Sequence, residues 1–310
     1  MLAMNAEKKQ KQGPIESKGL LFLRGGIVLS FLLVGLYYEL SCAIISLYWI
    51  ALLIWLGKQR KLSIRFNDAL LASLGIFAFY CLSCFWAVDS GMALWGIVKY
   101  LPLPLSALCL MQFSVDDRKT VLNDLPWLGA AMTLITFGLQ FIPLFSTALT
   151  VNGRLAGFFQ YPNTFACFLL LGIEILLLGE TEKFPLWAQI VCGVVLLFGL
   201  IQAGSRTIFV FAVPAMLVCL LIRRTSKVAL MVTCSLGGGV LLSVPVGLLY
   251  GALSGAGRVA EISTGASTFL GRLLYWKDAL PVVLEHPFGL GYLGYYFTQG
   301  SFQTGNYTVR

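Results

Sequence analysis

The sequence predicts an all-α polytopic membrane protein: about nine transmembrane helices, then a large extracytoplasmic loop that holds an amphipathic helix. Three observations carry this. The 310 residues are 58% hydrophobic and 12% charged, with a mean hydropathy of +0.84, whereas a soluble globular domain is roughly a quarter charged. Apolar runs long enough to cross a hydrocarbon core of about 30 Å recur along most of the chain. The basic residues are also unevenly shared between the two sets of turns that alternating spans would create. Backbone in lipid must satisfy its own hydrogen bonds, and runs this continuous do so as helices, since barrel strands would alternate polar and apolar residues.

The elements follow in order. Residues 1–19 are polar and basic and are assigned to the cytoplasm. No small-residue cleavage site follows the first apolar run, so that run is expected to be an uncleaved anchor. The membrane domain covers 20–250, with spans near 20–38, 40–57, 68–87, 92–112, 125–145, 163–179, 186–203, 207–222 and 228–250. Polar connections such as "SVDDRKTVLND", "GETEKFP" and "RRTSK" separate them. Trp86, Trp95, Trp127 and Trp187 fall near span ends, where amphipathic rings favour the interface. With the N-terminus inside, 15 of the 22 Lys and Arg residues lie on the cytoplasmic side. The net charge of +8 therefore reads as a topology signal, and no nucleic-acid partner is expected.

Residues 251–310 differ in character, being less apolar and rich in Gly, Ser, Thr and Tyr. They form the extracytoplasmic segment. Within it "GRLLYWKDALPVVLEHP" places apolar residues at helical spacing, as a helix lying along the outer surface would. The eight cysteines all lie in apolar runs. Cys81 and Cys84 make a single C-x-x-C with no second pair, so they read as small core residues, and neither a metal nor a cofactor is expected.

The informative cations are those that oppose the charge bias: Lys99, Arg154, Arg206, Arg258 and Arg272. One such arginine is equally well explained by snorkelling to lipid phosphates. Several, each in a distinctive loop, point to a site. Arg154 lies in "NGRLAGFFQYPN", where Gly153 and Gly157 permit close backbone approach and Pro162 opens a helix. Arg206 opens a span, beside the unpaired N–H groups of a helix N-terminus. Lys99 sits inside the fourth span, where an ionisable group is a functional candidate. Forked guanidinium groups and a helix start suit an anion with several oxygens, such as a phosphate or pyrophosphate.

Three blocks, "NGRLAGFFQYPNTFACFLLLG", "AGSRTIFVFAVPAMLVCLLI" and "GRLLYWKDALPVVLEHPFGLGYLGYYF", together resemble the signature of the bacterial O-antigen ligase and polysaccharide polymerase family, over roughly residues 70–310. The shared pattern is Arg-x-x-Gly followed by Pro–Asn, a Ser–Arg opening a span, and an external Arg…Trp…Pro-x-Gly-x-Gly segment. The resemblance implies a GT-C-like membrane glycosyltransferase of the bacterial cytoplasmic membrane. Its donor would be an undecaprenyl-pyrophosphate-linked glycan and its acceptor a glycan or glycolipid, joined outside the membrane without a metal. Carried over, Arg206 and Arg272 would neutralise the pyrophosphate, while Arg154, Asn163, Lys99 and Arg258 would line the substrate cavity.

One feature departs from the family. The family's proposed general base is a histidine after the glycine-rich stretch, whereas the single histidine here, His286, precedes it. The sequence therefore reads as a C-terminally truncated member of the family. A general base contributes about 10²–10⁴-fold, so a remnant without activity is one alternative. A multi-pass transporter or permease is the other, since prolines interrupt several spans, though no inverted repeat is visible. "GLGYLG" matches a dinucleotide fingerprint but follows no parallel-sheet strand. Glu174, near the middle of the sixth span, lines a cavity, pairs with a helix neighbour or reaches the cytoplasmic headgroups. Asp89, Glu261, Asp278 and Glu285 have no partner legible in sequence.

Overall fold

The computed structural model describes residues 14–59, 62–64, 66–179, 184–223, 225–254 and 265–304; side chains at 14–17, 226, 247–254 and 265–272 lie outside that description. The helices are α1 (Pro14–Leu32), α2 (Glu39–Gln59), α3 (Asp68–Ser83), α4 (Ser90–Tyr100), α5 (Pro102–Met111), α6 (Val115–Leu139), α7 (Pro143–Leu149), α8 (Pro162–Leu178), α9 (Leu186–Ala203), α10 (Arg206–Arg223), α11 (Ser226–Ser254), α12 (Gly265–Glu285) and α13 (Gly294–Phe302). Helical segments occupy each of the expected intervals. Among the described residues, five are long and apolar enough to cross a membrane: Glu39–Gln59, Ser90–Met111, Leu186–Ala203, Arg206–Arg223 and Lys227–Val246. Asp68–Ser83 and Pro162–Leu178 are apolar but shorter.

The structure moves several boundaries. The first helix ends at Leu32, and a 3-10 turn at Val34–Leu36 follows it. The fourth interval is two helices that abut at Leu101, where Pro102 and Pro104 supply no backbone donor. Residues 115–124, read from their charges as a connection, are the first turns of α6. Ser114 explains this: its hydroxyl accepts from the Asp117 amide at 3.1 Å, and the Asp117 carboxylate accepts from the Ser114 amide at 3.3 Å. This reciprocal pair satisfies two donors that a helix start otherwise leaves open.

Helix α7 and a two-residue hairpin were not expected. Thr150–Val151 pairs antiparallel with Arg154–Leu155 (β1 and β2) around Asn152–Gly153. Both turn residues have positive φ, 51° and 69°, the conformation that favours Asn-Gly in tight hairpins.

Among the described residues, two clusters of buried side chains share α6. One buries Leu23, Ile45, Trp49, Leu52, Leu56, Cys109 and Val121, from α1, α2, α5 and α6. The other buries side chains of α6, α8, α9, α10 and α11, including Met132, Phe165, Leu169, Leu196, Leu200 and Met231. Small residues let these helices approach closely, as in membrane bundles: Gly199 of α9 faces Thr133 of α6, and Gly193 faces Ser235 of α11. The outward surface is apolar instead of charged. On α10, Val210, Phe211, Val213, Leu217, Leu221 and Ile222 are all more than half exposed, which is the distribution a lipid-facing helix needs.

Candidate functional site

The loop carrying Arg154 folds into a clamp. The hairpin directs the partly buried Arg154 across to α9, where its Nε donates to the Ala203 carbonyl at 2.9 Å. Its Nη2 donates to Oδ1 of Asn163 at 2.9 Å, and the Asn163 amide donates to the Tyr161 hydroxyl at 3.0 Å. Ala203 ends α9. Gly204 follows in the left-handed region (φ +60°) and donates to the carbonyls of Leu200 and Ile201 at 3.2 and 3.0 Å, the geometry that closes a helix C-terminus. A β-carbon on Gly204 would stand 3.5 Å from Arg154 Nε. Two residues later Arg206 opens α10, exposed. The structure thus brings Arg154, Asn163 and the turn leading into Arg206 together, although 52 positions separate the two arginines.

Gly157, also at positive φ (59°), sits against the Phe165 ring so closely that a β-carbon would lie 2.8 Å from it. The close approach expected of this glycine is therefore real, and the ring of a buried phenylalanine is what it accommodates.

Lys99 belongs to the same end of the molecule but spends its charge on the chain. Its Nζ donates to the Leu36 carbonyl at 2.9 Å and to that of Tyr37, and lies 5.6 Å from the Tyr37 ring centre. The turn it holds reaches the Arg154 loop on its other side. There the Tyr38 hydroxyl donates to Gln160 Oε1 at 3.1 Å, and Gly35 lies against Phe159.

The glycine-rich segment after α12 docks on this end too. Val88 donates to the Leu290 carbonyl at 3.1 Å, Trp86 Nε1 to the Phe288 carbonyl at 3.0 Å, and the Tyr292 hydroxyl to Glu39 at 2.5 Å. Burial, and then the bond to Glu39, push the Tyr292 phenol up from its ordinary value. Gly291 (φ +83°) packs on Ala87, so "GLGYLG" is a strap, with glycine where backbone meets backbone. Sequence reasoning missed Glu39 and Tyr292; an acid at the start of a span was the available signal. Asp278 gains a partner as well: nearly fully buried, its carboxylate accepts from the Thr304 amide and hydroxyl at 3.0 and 2.6 Å.

Of the remaining candidates, Arg258 lies outside the described residues. Arg272 falls in α12, but its side chain also lies outside the description. His286 is exposed in the turn that follows α12. Glu174 lines a cavity between α6, α8 and α10, at the end of α8 opposite Asn163.

Fold and site together define a multi-pass helical membrane protein whose basic and polar side chains knit the interhelical turns at one end. Residues 191–309 match the family described as O-antigen ligase, so the stretch that runs from α9 through α10 to the glycine strap is that of an O-antigen ligase/polymerase-like protein. Comparison with curated proteins and with solved structures returns no match.

Proposed function

We propose that this protein is a membrane glycosyltransferase of GT-C-like architecture. It would transfer or polymerise an undecaprenyl-pyrophosphate-linked glycan onto an acceptor sugar, at the outer face of the bacterial cytoplasmic membrane. The observation that carries this reading is the family match over 191–309, which includes both Arg206 and Arg272. In the reaction the acceptor hydroxyl oxygen bonds to the anomeric carbon of the donor glycan. The bond from that carbon to the pyrophosphate oxygen breaks, the proton of the acceptor hydroxyl passes to solvent water, and undecaprenyl pyrophosphate departs. Negative charge builds on the leaving oxygen, and preorganised donors aimed there contribute a large share of catalysis.

Arg206 and Arg272 take that role. Arg206 supplies a guanidinium at the first residue of α10, where the helix N-terminus also favours an anion. Arg154 and Asn163 contribute by fixing the turn before Arg206, and Lys99 by fixing the neighbouring turn at Leu36–Tyr37. Arg258 completes the external basic set in this reading.

The test is Arg206→Lys in cells lacking the chromosomal gene, with surface polysaccharide and membrane protein level measured in parallel. A lysine keeps the charge but loses the two-pronged grip on pyrophosphate oxygens. Polysaccharide should fall at least a hundredfold with the protein level unchanged, a size typical of losing one oxyanion donor. Normal polymer would make Arg206 an interfacial anchor and remove the proposal's chemical basis.

A further inference from the structure

At the end of α8 opposite Asn163, a cavity of about 380 Å³ opens between α6, α8 and α10. Its apolar walls include Leu122, Leu171, Ile175 and Leu178, and its charged groups are Lys119, Glu174 and Arg223. Glu174 stands 11 residues along α8 from Asn163, so at about 1.5 Å per residue the charged part of this cavity lies roughly 16 Å from the Arg154 clamp and is a separate place in the molecule. Arg223 closes the last turn of α8 by donating to the Leu178 carbonyl. The cavity is not sealed from the lipid side: Leu122 is 50% exposed and Leu171 46%, so the apolar wall runs out onto the surface that meets acyl chains.

We propose that this cavity is a binding site for an anionic phospholipid of the leaflet opposite the glycan-transfer end. The lipid phosphodiester sits between Lys119 and Arg223, and one acyl chain lies along Leu122, Leu171 and Ile175. Basic pockets between membrane helices recognise lipid headgroups in this way. Charge selects the ligand: two cations and the Glu174 carboxylate leave one net positive charge, which suits the single negative charge of a phosphodiester. A polyprenyl pyrophosphate carries more negative charge and would meet Glu174 unfavourably. The carboxylate thus keeps the donor lipid's headgroup out of a site that lies far from the chemistry.

The experiment is native mass spectrometry of the whole chain in mixed micelles. Phosphatidylglycerol, phosphatidylcholine, undecaprenyl pyrophosphate and inorganic phosphate are each added at equal concentration. The wild type should retain phosphatidylglycerol in preference to phosphatidylcholine. Lys119→Gln, which leaves the Arg223 cap of α8 in place, should weaken phosphatidylglycerol about fivefold, and Lys119→Gln with Arg223→Gln about thirtyfold, at the strength typical of one basic residue near an anionic headgroup. Glu174→Gln should strengthen it, an outcome that a merely destabilised protein would not produce. Three results would overturn the proposal: equal retention of the two phospholipids, inorganic phosphate displacing phosphatidylglycerol, or undecaprenyl pyrophosphate lost in the same variants. None of these depends on glycan transfer, so the site stands or falls separately from the proposed activity.

Discussion

Arg154 shows how one guanidinium serves two elements. Its Nε and Nη2 point at acceptors on different helices, the Ala203 carbonyl of α9 and the Asn163 side chain of α8. A lysine ammonium cannot span both with the geometry of a planar fork. Arg154→Lys should therefore lower stability by about 1–2 kcal/mol, the discounted value of a charged hydrogen bond at a partly solvated site, read as unfolding in detergent micelles. Arg206→Lys should shift that unfolding curve less than Arg154→Lys does, because Arg206 is exposed at its helix start. If Arg154→Lys matched the wild-type curve yet stopped transfer, Arg154 would be a ligand contact and not a clamp.

Helix α6 makes the corresponding point for an element. Its first turns carry Asp116, Asp117, Arg118 and Lys119, a composition that reads as loop when hydropathy alone decides. The Ser114–Asp117 pair holds those turns helical, and the helix then places Lys119 and Asn123 on the cavity and Asp124 within 2.6 Å of Arg24 on α1. Replacing Ser114 with Ala removes the hydroxyl acceptor and should cost about 1 kcal/mol. Hydrogen exchange should locate the loss in residues 115–121, with α8 and α9 unaffected. Protection lost evenly through the bundle would mean that the cap does not set this helix boundary.

Across the whole molecule, hydrogen bonds and packing sort the turns into two ends. One end holds the 34–38 turn, the 86–89 turn, the Arg154 loop, the Ala203–Arg206 turn and the glycine strap, joined through Lys99, Tyr38, Arg154 and Val88. The other joins Ser63 to Gln112 and Arg223 to Leu178. That separation is what alternating spans require. The charge bias predicts that the strap end faces outside and the N-terminus inside. Reporter fusions after Arg224 and at Gly265 should accordingly fall in opposite compartments, the first cytoplasmic; a shared compartment would defeat this orientation.

Sequence by itself determined the class of protein and the position of nearly every helix, because apolar runs of that length have one stable state in lipid. It also carried the three arginine-bearing blocks, two of which fall inside the stretch that matches the O-antigen ligase family, since short patterns in fixed order are legible without coordinates. It did not determine what the side chains in those blocks touch. Asn152–Gly153 is a hairpin signal by residue type, but the flanking pairs of two residues each are too short to show strand alternation. Lys99 and Arg154, expected at a substrate cavity, both donate to backbone carbonyls of other segments. Partners 49 to 253 positions away, as with Arg154 and Ala203 or Tyr292 and Glu39, leave no local trace in composition or periodicity. Only the packed bundle decides them, because a buried donor takes whichever acceptor the fold carries to it.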